Sequence, residues 1–228
     1  MTFQRARSAE QREMRRQAIL DTAAAMLDEM PVADVSLNEL SRRSHLAKSA
    51  LSRYFASREA VLLELLGHFL QTWLAELPGE LAADIDGSLP AEQRAGRLAE
   101  VLSRSLASRP VLCDLFGAQG AVLEQNVTLE VALRHKRASL DALATMTGLV
   151  RRHVPELGDG AQAFCLHAMV LAGALSAYCP PPPAVLAVYE AYPSLDALGF
   201  DLRDALRLFL GTALLGALPR ADQPPDRH

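Results

Sequence analysis

Between Pro31 and Ser57 the sequence has room for only two short helices and a tight turn. Pro31 stops whatever helix precedes it, because its ring fixes φ and removes a backbone donor. Ser36-Leu37-Asn38-Glu39 has the pattern of a capping box, in which the serine caps the helix start and the glutamate reaches back. The helix it opens is expected to end near Arg43, with His45 marking a turn and a second short helix over about Ala47 to Phe55. Ser57-Arg58-Glu59 then caps and charges a long helix expected to run to about Leu77. Upstream, Ile19, Ala23, Met26 and Met30 fall on one stripe of a helix expected from Glu10 to Met30.

The rest of the chain is also helical in pattern. Half of its residues are apolar and only 5% are aromatic, and no stretch alternates with the period of a strand. Helical segments are expected over Ala91–Ser108, Pro110–Glu124, Thr128–Val154, Ala161–Cys179 and Leu202–Leu218, with a break from Pro78 to Pro90 and a rigid stop at Pro180 to Pro183. The fold class is therefore all-α, with about nine helices. A small N-terminal head (1–56, of which 1–9 form a flexible basic arm) is expected to precede a larger helical body (57–219) and a disordered tail (220–228).

Two short helices joined by a tight turn can place one of them in the major groove of double-stranded DNA, whose width accepts a single helix. The second helix must then bury one face and present short polar or cationic groups on the other. Leu51 and Phe55, four apart, are expected to face inward, with Lys48, Ser49, Ser52 and Arg53 opposite. Small groups at Ser49 and Ala50 permit close approach to bases, and Arg53 could pair with guanine or, like Lys48, neutralise phosphate. Charge agrees in sign: residues 1–60 carry ten Lys/Arg against eight Asp/Glu, while the remainder is acidic and the whole chain is −4.

These residues resemble the TetR family of bacterial transcriptional regulators. The resemblance is carried by SLNELSRRSHLAKSALSRYFASREAVL, residues 36–62, with Tyr54-Phe55 ending the reading helix and Ser57-Arg58-Glu59 opening the next; Ala18 to Ala23 resembles the family's first helix. It implies phosphate anchors at Ser36, Tyr54 and Arg58, with Lys48 beside them, and base-facing residues at Ser49, Ala50 and Arg53; the Arg5/Arg7 arm could add contacts in a neighbouring minor groove or be simply a disordered basic terminus. Four positions depart from the family pattern: Pro31 and His45 stand for glycines, Ala47 for a serine cap, and Ser52 for a tyrosine that touches phosphate.

The resemblance further implies a C-terminal domain that binds a small molecule and dimerises. From Gly160 to Tyr189 there is no Asp, Glu, Lys or Arg, and a helix apolar on all sides must be covered on all sides. A partner subunit is one cover, through Ala168, Ala172, Gly173, Leu210 and Leu214; the core of a monomer is the other. Candidate ligand contacts are Trp73, Phe116, Met146 and Met169, with His135 and His167 as polar groups, which suits an apolar or aromatic effector. The expected function is a ligand-released repressor, homodimeric on a palindromic operator.

Other classes fit less well. No GxSxG, Walker loop, HExxH or GxGxxG is present, so no catalytic residue is assigned. Cys113, Cys165 and Cys179 have neither metal-ligand nor disulfide spacing, and no metal or cofactor is expected. No apolar run is long enough for a membrane span, and the N-terminus lacks a signal-peptide core, so a cytoplasmic location without membrane contact is expected. A helical ligand-binding module with a vestigial DNA head is the remaining rival.

Overall fold

Helix α4 (Arg58–Asp84) organises the molecule in the computed structural model, which describes residues 2–219, with side chains from residue 10 onward. Its N-terminus is capped by Ser57 Oγ, which accepts from the Ala60 amide at 3.2 Å. The helix runs straight through Pro78, where a break was expected. Leu74, Leu77 and Leu81 bury the flanking turns, and that burial outweighs the one hydrogen bond Pro78 cannot make.

The head is built from α1 (Thr2–Leu27), α2 (Leu37–Arg43) and α3 (Lys48–Leu51), with one 3-10 turn at Val32–Asp34. The α1 backbone begins at Thr2, through the stretch expected as a flexible arm; the side chains of Arg5 and Arg7 and the tail 220–228 lie outside the described residues. The body follows as α5 (Ala91–Ala107), α6 (Pro110–Ala118), α7 (Leu129–His153), α8 (Gly160–Ser176), α9 (Pro183–Ala191) and α10 (Leu202–Ala217). No strand occurs among the described residues. A π-turn at Gln119–Leu123 extends α6, and α9 starts at Pro183, inside the tract expected to act only as a stop. Proline is well suited there, since the first helical position needs no amide donor.

One continuous buried core joins head and body. Ile19, Ala23, Met26, Leu40, Leu51 and Phe55 meet α4 from one end, while Leu98, Leu102, Leu106, Met146 and Leu206 meet it or its neighbours from the other. Helix α10 packs along α5, and α6 packs along α8. Trp73 is fully buried, and its indole Nε1 donates to Ser105 Oγ at 2.9 Å.

Candidate DNA-reading head and ligand cavity

Ser36 caps α2 as expected, its Oγ accepting from the Glu39 amide at 3.2 Å. The reciprocal half of the box is absent: the Glu39 carboxylate turns to Arg42 and Arg43, and their hydrogen bonds hold it down at about 2. The turn places His45 at a φ of 53°, the left-handed region where glycine is the usual occupant. Ser41 Oγ closes the turn by donating to the Leu46 carbonyl at 2.6 Å. Ala47 starts α3 with no side-chain cap, and α3 is one turn long before looser turns carry the chain to Phe55.

This geometry separates a buried from an exposed face. Leu51 and Phe55 are buried, Ala50 and Tyr54 are half-buried, and Lys48, Ser49, Ser52 and Arg53 are exposed. Ser52 Oγ donates to the Lys48 carbonyl at 2.9 Å, so its hydroxyl serves the helix first. Arg58, expected as a phosphate anchor, is engaged within the head. Its Nη1 donates to the carbonyls of Ala33 and Val35 at 3.1 and 2.7 Å, tying the loop before α2 to the start of α4. Its Nε lies 3.2 Å from Glu59 Oε1 but, with poor alignment, is left buried without a hydrogen bond.

Arg16, which the sequence did not single out, fastens the head to α4. Its guanidinium forks onto the Glu64 carboxylate, donates from Nη1 to the Tyr54 carbonyl at 3.1 Å, and lies 4.4 Å from the centre of the Phe55 ring. Its spacing from Ile19 on α1 was the available signal, but the partner lies 48 residues away. Two further ties reach the body: Asp114 Oδ2 accepts from the Val32 amide at 2.8 Å, and Ser57 Oγ donates to the Asn126 carbonyl at 3.2 Å.

A cavity of about 590 Å³ lies beside α4, walled by α6, α7 and α8. Of the expected contacts, Phe116, His135 and Met169 line it; Trp73 and Met146 are packed in the core and His167 is exposed on α8. Sequence reading missed Leu66, Leu70, Leu143 and the polar group at Glu124. There Lys136 Nζ and Gln119 Nε2 donate to Glu124 Oε1 at 2.7 and 2.8 Å, and His135 Nε2 lies 3.5 Å away. Burial acts to raise the Glu124 carboxyl, but the bonds from Lys136 and Gln119 outweigh it and hold it below its ordinary value. Desolvation pushes His135 below its ordinary value, against the pull of Glu124.

The five residues expected at a dimer face lie inside the protomer. Ala168, Ala172, Leu210 and Leu214 are buried, and Gly173 lies directly against the Phe116–Gly117 backbone. Small residues mark where helices of one chain cross closely, which is why composition misplaced them. The same helices leave Leu166, Val170, Leu208, Phe209 and Leu215 exposed, and α9 has no buried residue.

No described helix is long and apolar enough to cross a membrane. Residues 19–65 match the family model of bacterial regulatory proteins of the tetR family, and residues 68–221 match that of the tetracyclin repressor-like C-terminal domain. Over 80 residues the chain is 39% identical to the HTH-type transcriptional regulator EthR of Mycobacterium tuberculosis, a match covering 32% of this chain and 35% of that protein. The chain thus spans about a third of the length of the curated relatives it matches. Among solved structures, a possible TetR family transcriptional regulator from Streptomyces coelicolor aligns with a TM-score of 0.54 at 20% identity, covering 88% of this chain and 97% of that one. The regulator FadR from Bacillus subtilis, in complex with stearoyl-CoA, aligns with a TM-score of 0.52 at 12% identity, covering 89% and 99%. With one family model on the head, a second over most of the body and a helix-turn-helix between α2 and Phe55, the chain belongs to the TetR family of transcriptional regulators.

Proposed function

We propose that the chain is a homodimeric repressor that binds a palindromic operator and is released from it by a small, largely apolar effector. The observation that carries this reading is the path from cavity to head. Leu66, Gly67 and Leu70 of α4 line the cavity, and one turn earlier on the same helix Glu64 holds Arg16. Arg16 in turn holds the Tyr54 carbonyl and the Phe55 ring, which end the reading segment. A ligand that fits the cavity better with α4 displaced therefore shifts both heads of a dimer out of register with DNA, as differential affinity for two states requires. Cavity size and lining fall in the range of small-molecule sites. Val170, Leu208, Phe209 and Leu215 supply apolar surface for the two-fold contact that a palindromic operator needs.

The reading is tested by fluorescence-anisotropy titration against the DNA immediately upstream of the protein's own gene, at several salt concentrations. Expected is binding of two copies per site whose affinity falls steeply with salt. Absent or salt-insensitive binding would point instead to a helical ligand-binding module with a vestigial head.

A further inference from the structure

A second cavity, of about 740 Å³, lies on the opposite side of the gap between α4 and α7, bounded by α1 and the end of the reading segment. The two cavities share Gly67, Gln71, His135 and Ala138, so they meet at one waist. Two of the four carry little bulk, since a Cβ on Gly67 would meet nothing within 4 Å and Ala138 has only a methyl, so Gln71 and His135 are the side chains that bound the waist. The two sides differ in chemistry. Leu66, Leu70, Phe116, Leu143 and Met169 wall the first alongside the Glu124, His135 and Lys136 group, whereas the second is more densely charged, with Arg12, Arg16 and Arg134 beside Asp21, Glu64 and Glu130. Among the described residues Arg12 donates only to the Arg53 carbonyl, and Arg134 pairs only with Glu130, itself 85% exposed.

We propose that both cavities form one site for an elongated amphipathic carboxylate, its chain threaded past Gly67 into the apolar side and its head exchanging with Glu64 on Arg16. This rests on the reading of the protein as an effector-released regulator and names the effector's class. Length is set by the two joined cavities, which a compact aromatic would leave half empty. The head is set by Arg16, whose fork is already shaped around a planar two-oxygen anion. A ligand carboxylate there replaces Glu64 one for one. The exchange removes the ion pair between α1 and α4, and leaves Tyr54 and Phe55 held by an arginine no longer paired with α4.

The test is calorimetric titration of the full chain with hexadecanoate, hexadecanol and octanol, below their aggregation limits, beside operator binding by anisotropy. Hexadecanoate is expected to bind tightly and octanol weakly. Gly67→Phe should plug the waist and weaken hexadecanoate by at least about tenfold, the loss of about two buried methylenes, and weaken octanol, short enough to fit within one cavity, by much less. Ala138→Leu narrows the same waist from the other wall and should do likewise, so the result does not depend on one variant folding. Glu64→Gln removes the competitor and should strengthen hexadecanoate up to about fivefold, with hexadecanol unaffected. Wild-type protein that ignores hexadecanoate, or waist variants that bind it normally, would overturn the proposal; so would equal effects of Glu64→Gln on acid and alcohol. Operator binding that fails while hexadecanoate binding persists would instead sink the regulator reading and spare the ligand assignment.

Discussion

Gly117 and Gly173 bring the backbones of α6 and α8 into direct contact: a Cβ on Gly173 would fall 2.4 Å from the Gly117 nitrogen and 2.6 Å from the Phe116 carbonyl carbon. Backbone atoms cannot step aside as a side-chain tip can. Gly173→Ala should therefore force the helices apart and destabilise the protein by about 1–3 kcal/mol. Gly148 of α7 is the matched control, with open space around its Cβ position. Gly148→Ala should stabilise by about 0.5–1 kcal/mol through helix propensity. Urea unfolding followed by the single tryptophan reads both, and a tolerated Gly173→Ala would mean that the crossing is looser than described.

What was legible in the sequence follows from the range of the interactions involved. Ser36, Ser57, Leu51 and Phe55 act within one or two turns of chain, and each is found in its expected place. Residues tied to a partner far along the chain were missed, or make contacts that the local sequence could not announce. Arg16 meets Glu64 across 48 residues, and Arg58 meets Val35 across 23. Pro78 reads locally as a breaker, yet Leu77 and Leu81 are fully buried against helices it could not announce. Gly173 reads as a small residue suited to an interface, and only the packing shows that the partner helix belongs to the same chain.

His45 holds the helix-turn-helix turn at a φ of 53°, where a β-carbon is strained. His45→Gly should relieve that strain and, after the greater entropy of glycine in the unfolded chain, raise stability by about 0.5–1 kcal/mol. His45→Val, branched at Cβ, should lower it by at least that amount. Thermal unfolding checks the pair. If valine is as stable as histidine, the turn does not hold the left-handed conformation in solution.

The three cysteines should show graded reactivity. Burial pushes the Cys113 thiol up to about 12 and the Cys165 thiol up to about 11, whereas Cys179 is half-buried and raised less. At pH 8 iodoacetamide is expected to label Cys179 first, with Cys113 and Cys165 protected until the protein unfolds. The raised values also set a sign. The unfolded thiols lose their protons near pH 9 and the folded ones do not, so stability from these groups is intact below 9 and falls as pH rises from there toward 12. Peptide mapping after timed alkylation and unfolding midpoints between pH 8 and 11 test both statements.

Lys48, Arg53 and Arg58 are all basic and all lie in or beside the reading segment, but their surroundings assign them different effects on DNA binding. Lys48 is exposed and has no ion-pair partner among the described residues, so Lys48→Ala should weaken binding to every sequence alike and flatten the salt dependence by about one unit of slope. Arg53 is exposed on the reading face, and Arg53→Ala should lower operator affinity more than non-specific affinity, by about 1–3 kcal/mol of discrimination. Arg58 is spent on the carbonyls of Ala33 and Val35. Arg58→Met should therefore destabilise the head by about 1–2 kcal/mol, by freeing the loop that precedes α2. It should leave the salt slope unchanged once binding is corrected for the folded fraction. Anisotropy titrations of the three variants against operator and scrambled DNA, from 50 to about 200 mM salt, separate these outcomes. A reduced slope for Arg58→Met would restore Arg58 as a phosphate contact and would mean that its carbonyl ties open on DNA.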